Sequence, residues 1–163
     1  MKYHQVTEII QKLLTDSGSW YETFEHEPVR TSEQAARTRP GYSLQQGAKA
    51  LILRVKKSTR DNVFVMLVLP AHLKIDNKKV KDYYQAKDFR FATEEEVMDI
   101  TDGVQPGAVP PFGNLFELEV LVDPKLLDNQ KIVFNAGDRR FSIAIKSDDY
   151  IKLVNPKIHN ITA

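Results

Sequence analysis

The chain has 163 residues, of which 42% are hydrophobic and 28% charged, with a formal net charge of +1 and no cysteine. That length suffices for one domain to bury a core without disulfides or metals, and the balanced charge excludes a globally basic nucleic-acid binder while permitting a local patch. The missing cysteines exclude a disulfide framework, a thiolate metal site and a cysteine nucleophile.

Residues 3–15 carry Val6, Ile9, Ile10, Leu13 and Leu14 at helical spacing and predict an amphipathic helix that ends at Asp16-Ser17-Gly18-Ser19. Trp20 to His26 reads as a short strand stopped by Glu27-Pro28. Thr31 and Gln34 have the spacing of a capping box for a short helix from Ser32 to about Thr38, which Arg39-Pro40-Gly41 cannot continue. Lys49 to Lys57 alternates, with Lys49, Leu51, Leu53 and Val55 on one face, the face a barrel turns inward. Asn62 to Leu69 is apolar almost throughout, so it predicts a strand covered on both faces and paired with its predecessor as a hairpin.

Asp76 is placed to cap a lysine-rich helix running to Gln85, Phe89 to Ala92 reads as a brief strand, and Thr93 with Glu96 forms a second capping box. Phe116, Leu118, Val120 and Val122 alternate as a one-sided strand. Strands at Ile132–Phe134 and Phe141–Ile145 follow, and Ser147 is placed to cap a last helix over 148–154. Residues 155–163 read as a tail. One α+β domain over 1–163, with a mixed, curved or barrel-like β-sheet and peripheral helices, accounts for this pattern. No apolar run approaches the roughly 20 residues of a membrane helix, and Met1-Lys2-Tyr3-His4-Gln5 has no signal-peptide pattern. A cytoplasmic protein without a membrane partner is expected.

Two segments carry chemistry. Lys49 stands at the mouth of an apolar strand, where a cation must reach a cavity or a partner because an isolated buried charge is costly. The loop Gly107-Ala108-Val109-Pro110-Pro111-Phe112-Gly113 has two prolines that fix φ and remove donors, which holds the N–H groups of Ala108, Val109 and Phe112 in place. A fixed cation facing a rigid backbone surface suits an ester held for attack by water. The bland alternatives are a lysine snorkelling into solvent and a stiff turn. His4, His26, His72 and His159 lack metal-ligand spacing, so no metal or cofactor is expected and surface or capping roles serve them. His26 sits in the strand leading to Pro28 and is the one to watch. Three basic groups are candidate phosphate contacts: Lys56/Lys57/Arg60, Lys78/Lys79/Lys81 and Arg37/Arg39.

Phe24-Glu25-His26-Glu27-Pro28-Val29, Gly47-Ala48-Lys49-Ala50-Leu51, Gly107 to Phe112 and Phe134-Asn135-Ala136-Gly137 occur in an order that resembles the YbaK/ProX family of aminoacyl-tRNA editing domains. These are related to the insertion domain of bacterial prolyl-tRNA synthetases, and the form of the motifs is most similar to the free-standing YeaK-like branch. The resemblance implies hydrolysis of a wrong amino acid from tRNA. Lys49 then orients the aminoacyl or terminal-adenosine end, and the backbone of Gly107, Ala108 and Pro111 positions carbonyl and water. His26, Val109, Phe112, Asn135, Ala136 and Gly137 line the substrate. It also implies that no side chain need act as general base, the water being activated partly by a ribose hydroxyl. The expected partners are the aminoacylated acceptor end of tRNA and, in some settings, a synthetase, with no role for DNA.

The resemblance favours a trans-editing deacylase for a small or hydroxylated amino acid (serine, threonine or alanine). The alternatives are a non-catalytic tRNA- or synthetase-binding module with the same fold, and a small-molecule ester hydrolase. Ala108 and Asp138-Arg139-Arg140 depart from some relatives where the amino-acid pocket is expected.

Overall fold

The computed structural model describes residues 2–28 and 31–163. Val29, the last residue of the first family-like segment, lies outside them. Helix α1 (Gln5–Asp16) buries Val6, Ile10 and Leu14, one apolar stripe at 3.6-residue spacing. His4 caps it, its Nδ1 accepting the Val6 N–H at 3.0 Å. α1 packs against β6 (Lys131–Asp138). That strand pairs antiparallel with β7 (Phe141–Lys146), which pairs with β1 (Tyr21–Glu25), giving a three-stranded sheet in the order β1-β7-β6.

The second sheet runs β4 (Asp88–Phe91), β2 (Ala48–Lys56), β3 (Asn62–Pro70), β5 (Glu119–Val122), β8 (Lys157–Ile158). β2 and β3 form the expected hairpin, whereas β3–β5 and β5–β8 are parallel, so the sheet is mixed. A parallel bridge between Gly47 and Val133 joins the two sheets at one corner. The α+β architecture with peripheral helices holds, but the strands make two open sheets and do not close into a barrel.

The sheets enclose the larger core cluster, in which Ile52, Met66, Val68, Val120 and Val122 meet Ile132, Phe134, Ile143 and Ile145. The other face of β2 and β3 carries a second cluster of Leu53, Val55, Val65, Leu67 and Leu121, covered by Val80 and Tyr84 of α3 (Asn77–Tyr84) and by Ile161. Lys49 shares the parity of Leu53 and Val55. It therefore lies on the face under α3, not on the one between the sheets. A strand covered on both faces does not reveal by alternation which face is which.

Other differences have similar causes. The strand read from Phe116 begins only at Glu119, after a 3₁₀ turn over Gly113–Phe116, and Leu121 buries on the side expected to be open because α3 packs there. Ser147 is the first residue of α6 (Ser147–Val154), and its hydroxyl donates to the Asn129 carbonyl instead of capping. A short helix, α5 (Pro124–Leu127), went unread. Residues 155–163 form β8 and then a buried clasp. Asp123, itself buried, accepts the N–H groups of Ile161 and Thr162 at 2.9 and 3.1 Å.

Candidate functional site

The glycine–proline loop follows α4 (Glu94–Ile100). It is a plug in the core from Ala108 to Gly113, and only its first residue, Gly107 (φ +87°), is exposed. Phe112 packs against Phe134 and Tyr150. The Tyr150 hydroxyl, whose pKa burial raises, donates to the Pro111 carbonyl at 2.6 Å. The Gly137 N–H donates to the Ala108 carbonyl at 2.9 Å, and Arg139 donates to the Pro106 carbonyl. Ala108, Phe112 and Ala136 are 2%, 0% and 0% exposed, so any contribution they make to a ligand comes from backbone or shape. One expected donor is used internally: the Ala108 N–H bonds the Gln105 carbonyl. Among the described residues the N–H groups of Val109 and Phe112 make no hydrogen bond, and Val109 is the less buried of the two.

The exposed end of the loop meets a polar network (His26, Arg39, Asn135 and Ser142) contributed by four separate segments. Asn135 Nδ2 donates to the Gly107 carbonyl at 2.8 Å, and Asn135 Oδ1 accepts from Arg39 Nη2 at 2.8 Å. Arg39 Nε donates to Ser142 Oγ at 3.0 Å, which lies 2.8 Å from His26 Nε2. His26 Nδ1 faces the Glu27 carbonyl at 2.9 Å, and since a carbonyl only accepts, Nδ1 carries a proton. Ser142 Oγ has a single proton to give, either to His26 Nε2 or to Asn135 Oδ1 at 3.2 Å.

Arg39 is the residue the sequence reading placed wrongly. Arg37 is exposed, whereas Arg39 is 5% exposed and turned into this network, so the two do not form a patch. Burial pushes its pKa down to about 10. Among the described residues it has no carboxylate partner. Ser142 was missed as well, being one position in an apolar strand with nothing local to single it out.

Lys49 lies half-buried, its Nζ donating to the Leu73 carbonyl at 2.8 Å. Burial, then Lys74, lower its pKa against a smaller opposing effect of Glu33. Gly47, two residues before it, shares its side of the strand. A Cβ there would meet Ala71 Cβ at 3.1 Å and Arg39 Nη1 at 3.8 Å. Arg39 and Lys49 thus approach the same flank of β2. The structure joins His26, Asn135, Gly107, Ala108 and Gly137 through hydrogen bonds with at most Ser142 and Arg39 between them. Lys49 connects to them through Gly47 and Arg39, with no direct bond to the loop among the described residues.

Residues 26–153 match the aminoacyl-tRNA editing domain family. The chain belongs to that family. It is similar to the multifunctional Ser/Thr-tRNA deacylase ProXp-y of Escherichia coli K12, with 32% identity over 91% of this chain and 87% of that protein. A proline–tRNA ligase of Bacillus licheniformis is 33% identical over 91% of this chain and 24% of the ligase. The fold of a candidate trans-editing enzyme for prolyl-tRNA synthetase superposes with a TM-score of 0.82 at 21% identity, covering 99% of both chains.

The basic groups of this editing domain differ in how far their charge is spent internally. Lys78 pairs with Asp82, Lys81 lies 3.8 Å from Asp88, and Lys79 donates to the Thr162 carbonyl. At the other end of β2, Arg54, Lys56, Lys57 and Arg60 make no ion pair among the described residues. Arg54 and Lys56 line a groove of about 290 Å³ together with Arg90 and Asp88. Lys56 lies seven positions beyond Lys49 on β2, about 23 Å at the usual rise of a strand.

Proposed function

We propose that this editing domain hydrolyses, in trans, the ester bond of mischarged tRNA carrying serine or threonine, with alanine as the next amino acid to test. The observation that carries the reading is that two cations without an ion pair among the described residues, Lys49 and Arg39, lie on the flank of β2 beside a rigid backbone loop whose exposed end is fixed by Asn135. The likeness to a Ser/Thr-tRNA deacylase supports the choice of amino acid. Lys49 orients the aminoacyl or terminal-adenosine end. The backbone of Gly107, Ala108 and Pro111 positions carbonyl and water, with the Val109 N–H as the donor left for the developing oxyanion. Phe112, Ala136 and Gly137 set the shape behind the loop, while His26 and Asn135 hold its polar rim.

Water adds to the ester carbonyl. The tetrahedral intermediate then expels the ribose oxygen, which takes the proton that the water gave up, leaving free amino acid and deacylated tRNA. A ribose hydroxyl of the substrate assists that proton transfer, so no general base from the protein is required. Such editing supplies discrimination that a binding pocket does not, since side chains differing by one small group are separated by only about 1–3 kcal/mol. The reaction belongs in the cytoplasm, where tRNAs are charged, and a synthetase that produces the error is a natural partner.

The test is a panel of tRNAs charged with alanine, serine, threonine, cysteine and proline. Release of serine and threonine well above the spontaneous rate is expected. Binding of every tRNA with release from none would sink the deacylase reading in favour of a binding module. The free charges at the hairpin tip favour that end for the acceptor-stem phosphates. The triple variant Lys56→Glu/Lys57→Glu/Arg60→Glu is expected to weaken tRNA binding by tenfold or more and to flatten its salt dependence. Lys78→Glu/Lys81→Glu, on the spent patch, is expected to change it less than threefold.

A further inference from the structure

Arg39 is the most anomalous charge in the described structure. A guanidinium 5% exposed ordinarily faces a carboxylate, because a buried charge without a partner loses its hydration and gains nothing in return. Here its bonds go to two neutral oxygens, Asn135 Oδ1 and Ser142 Oγ. Nε and Nη2 are engaged, but among the described residues Nη1 has no hydrogen-bond partner, and it lies on the flank of Gly47, the side of β2 that also carries Lys49. Burial lowers the pKa of Arg39, and no carboxylate among the described residues opposes that, so the site keeps a positive charge without a visible counter-ion. Lys49 is likewise held by a neutral group, the Leu73 carbonyl.

We infer that Arg39 is a substrate-binding residue that takes a phosphate of the tRNA acceptor end, with Nη1 as the donor, and so places the terminal nucleotide for the loop. The inference rests on the deacylase reading above. A phosphodiester carries a full negative charge in the ground state and can neutralise a full positive one. A carbonyl that becomes anionic only in the transition state leaves the bound complex uncompensated. Asn135 and Ser142 then hold the guanidinium plane, and Asn135 ties that plane to the Gly107 carbonyl.

The experiment compares Arg39→Gln and Arg39→Lys with the unaltered protein on two substrates. One is aminoacyl-tRNA, and the other is the 3′-aminoacyl ester of adenosine, which has no phosphate. For Arg39→Gln, KM for the tRNA is expected to rise about 10- to 100-fold, the size of a lost charge-assisted contact, with kcat within about twofold. Arg39→Lys recovers part of that loss, and the loss on the adenosine ester, which offers no phosphate, is expected to be several-fold smaller than on the tRNA. Adenosine 5′-monophosphate, as an inhibitor, should lose its advantage over adenosine in Arg39→Gln. A fall in kcat on both substrates would assign Arg39 to the oxyanion and overturn the phosphate assignment. Equal loss on both substrates with a lowered melting temperature would make the residue structural. If the unaltered protein cleaves neither substrate, the deacylase reading is what fails, and phosphate-dependent inhibitor binding still decides the role of Arg39.

Discussion

Lys49→Ala is expected to lower kcat/KM for deacylation of the preferred aminoacyl-tRNA by about 100- to 1,000-fold, the range seen when one preorganised electrostatic contact is removed from an active site. The melting temperature should move by no more than a few degrees. Among the described residues the side chain makes one hydrogen bond, to the Leu73 carbonyl on the loop after β3, and it belongs to neither core cluster. Lys49→Met separates charge from bulk, since it keeps the apolar stem and loses the ammonium. It should match alanine in rate and the parent in stability. A further signature concerns pH. Burial and Lys74 lower the Lys49 pKa, so on raising the pH its positive charge is lost earlier than that of an ordinary lysine. Deacylation above the spontaneous rate should fall along that limb, and Lys49→Met should lack the limb. Unchanged rates in both variants would remove Lys49 from the site and leave Arg39 as its cation.

Local features of this fold were legible wherever a short-range rule decides the structure. The apolar stripe of α1, the β2–β3 hairpin and the Asp76 cap all follow from neighbours a few residues apart. So does the Thr93/Glu96 capping box, whose two bonds are 3.1 and 2.8 Å. What escaped depends on partners far along the chain. The face on which Lys49 lies is set by α3 and by Ile161, neither of which is visible in the alternation of β2. Residues 155–163 looked like a tail because the carboxylate that holds them, Asp123, lies 38 residues before Ile161. Arg39 looked like a surface charge beside Arg37, and the groups that draw it inward, Asn135 and Ser142, lie on the distant β6 and β7. Lys49 and the proline loop stand out by residue type, and Asn135 joins them only through family resemblance. Their spacing alone fits a snorkelling lysine and a stiff turn equally well.

Gly137→Ala is expected to cost about 2–5 kcal/mol and to lower the melting temperature by roughly 5–15 °C. Two separate penalties meet at this position. Gly137 has φ +97°, where a side chain strains the backbone by about 1–2 kcal/mol. It sits in the irregular register of β6 between Asn135 and Asp138, directly under α1. An added Cβ would lie 2.5 Å from Val6 Cγ1 and 2.8 Å from Thr7 Oγ1, and both residues are buried. Neither can swing away, because the Thr7 hydroxyl is held by the Ala136 carbonyl at 2.5 Å and Val6 is part of the core cluster. Relief requires α1 to lift off β6. That would disturb the N–H of Gly137, which holds the Ala108 carbonyl, so activity should fall along with stability. Gly18→Ala is the control: its φ is +70°, yet nothing lies within 4 Å of the added Cβ. It should therefore lose only the backbone penalty, about 1–2 kcal/mol, with deacylation unchanged. Urea unfolding of the two variants measures the difference. Equal losses would mean that close approach of α1 to β6 is not what glycine secures at position 137.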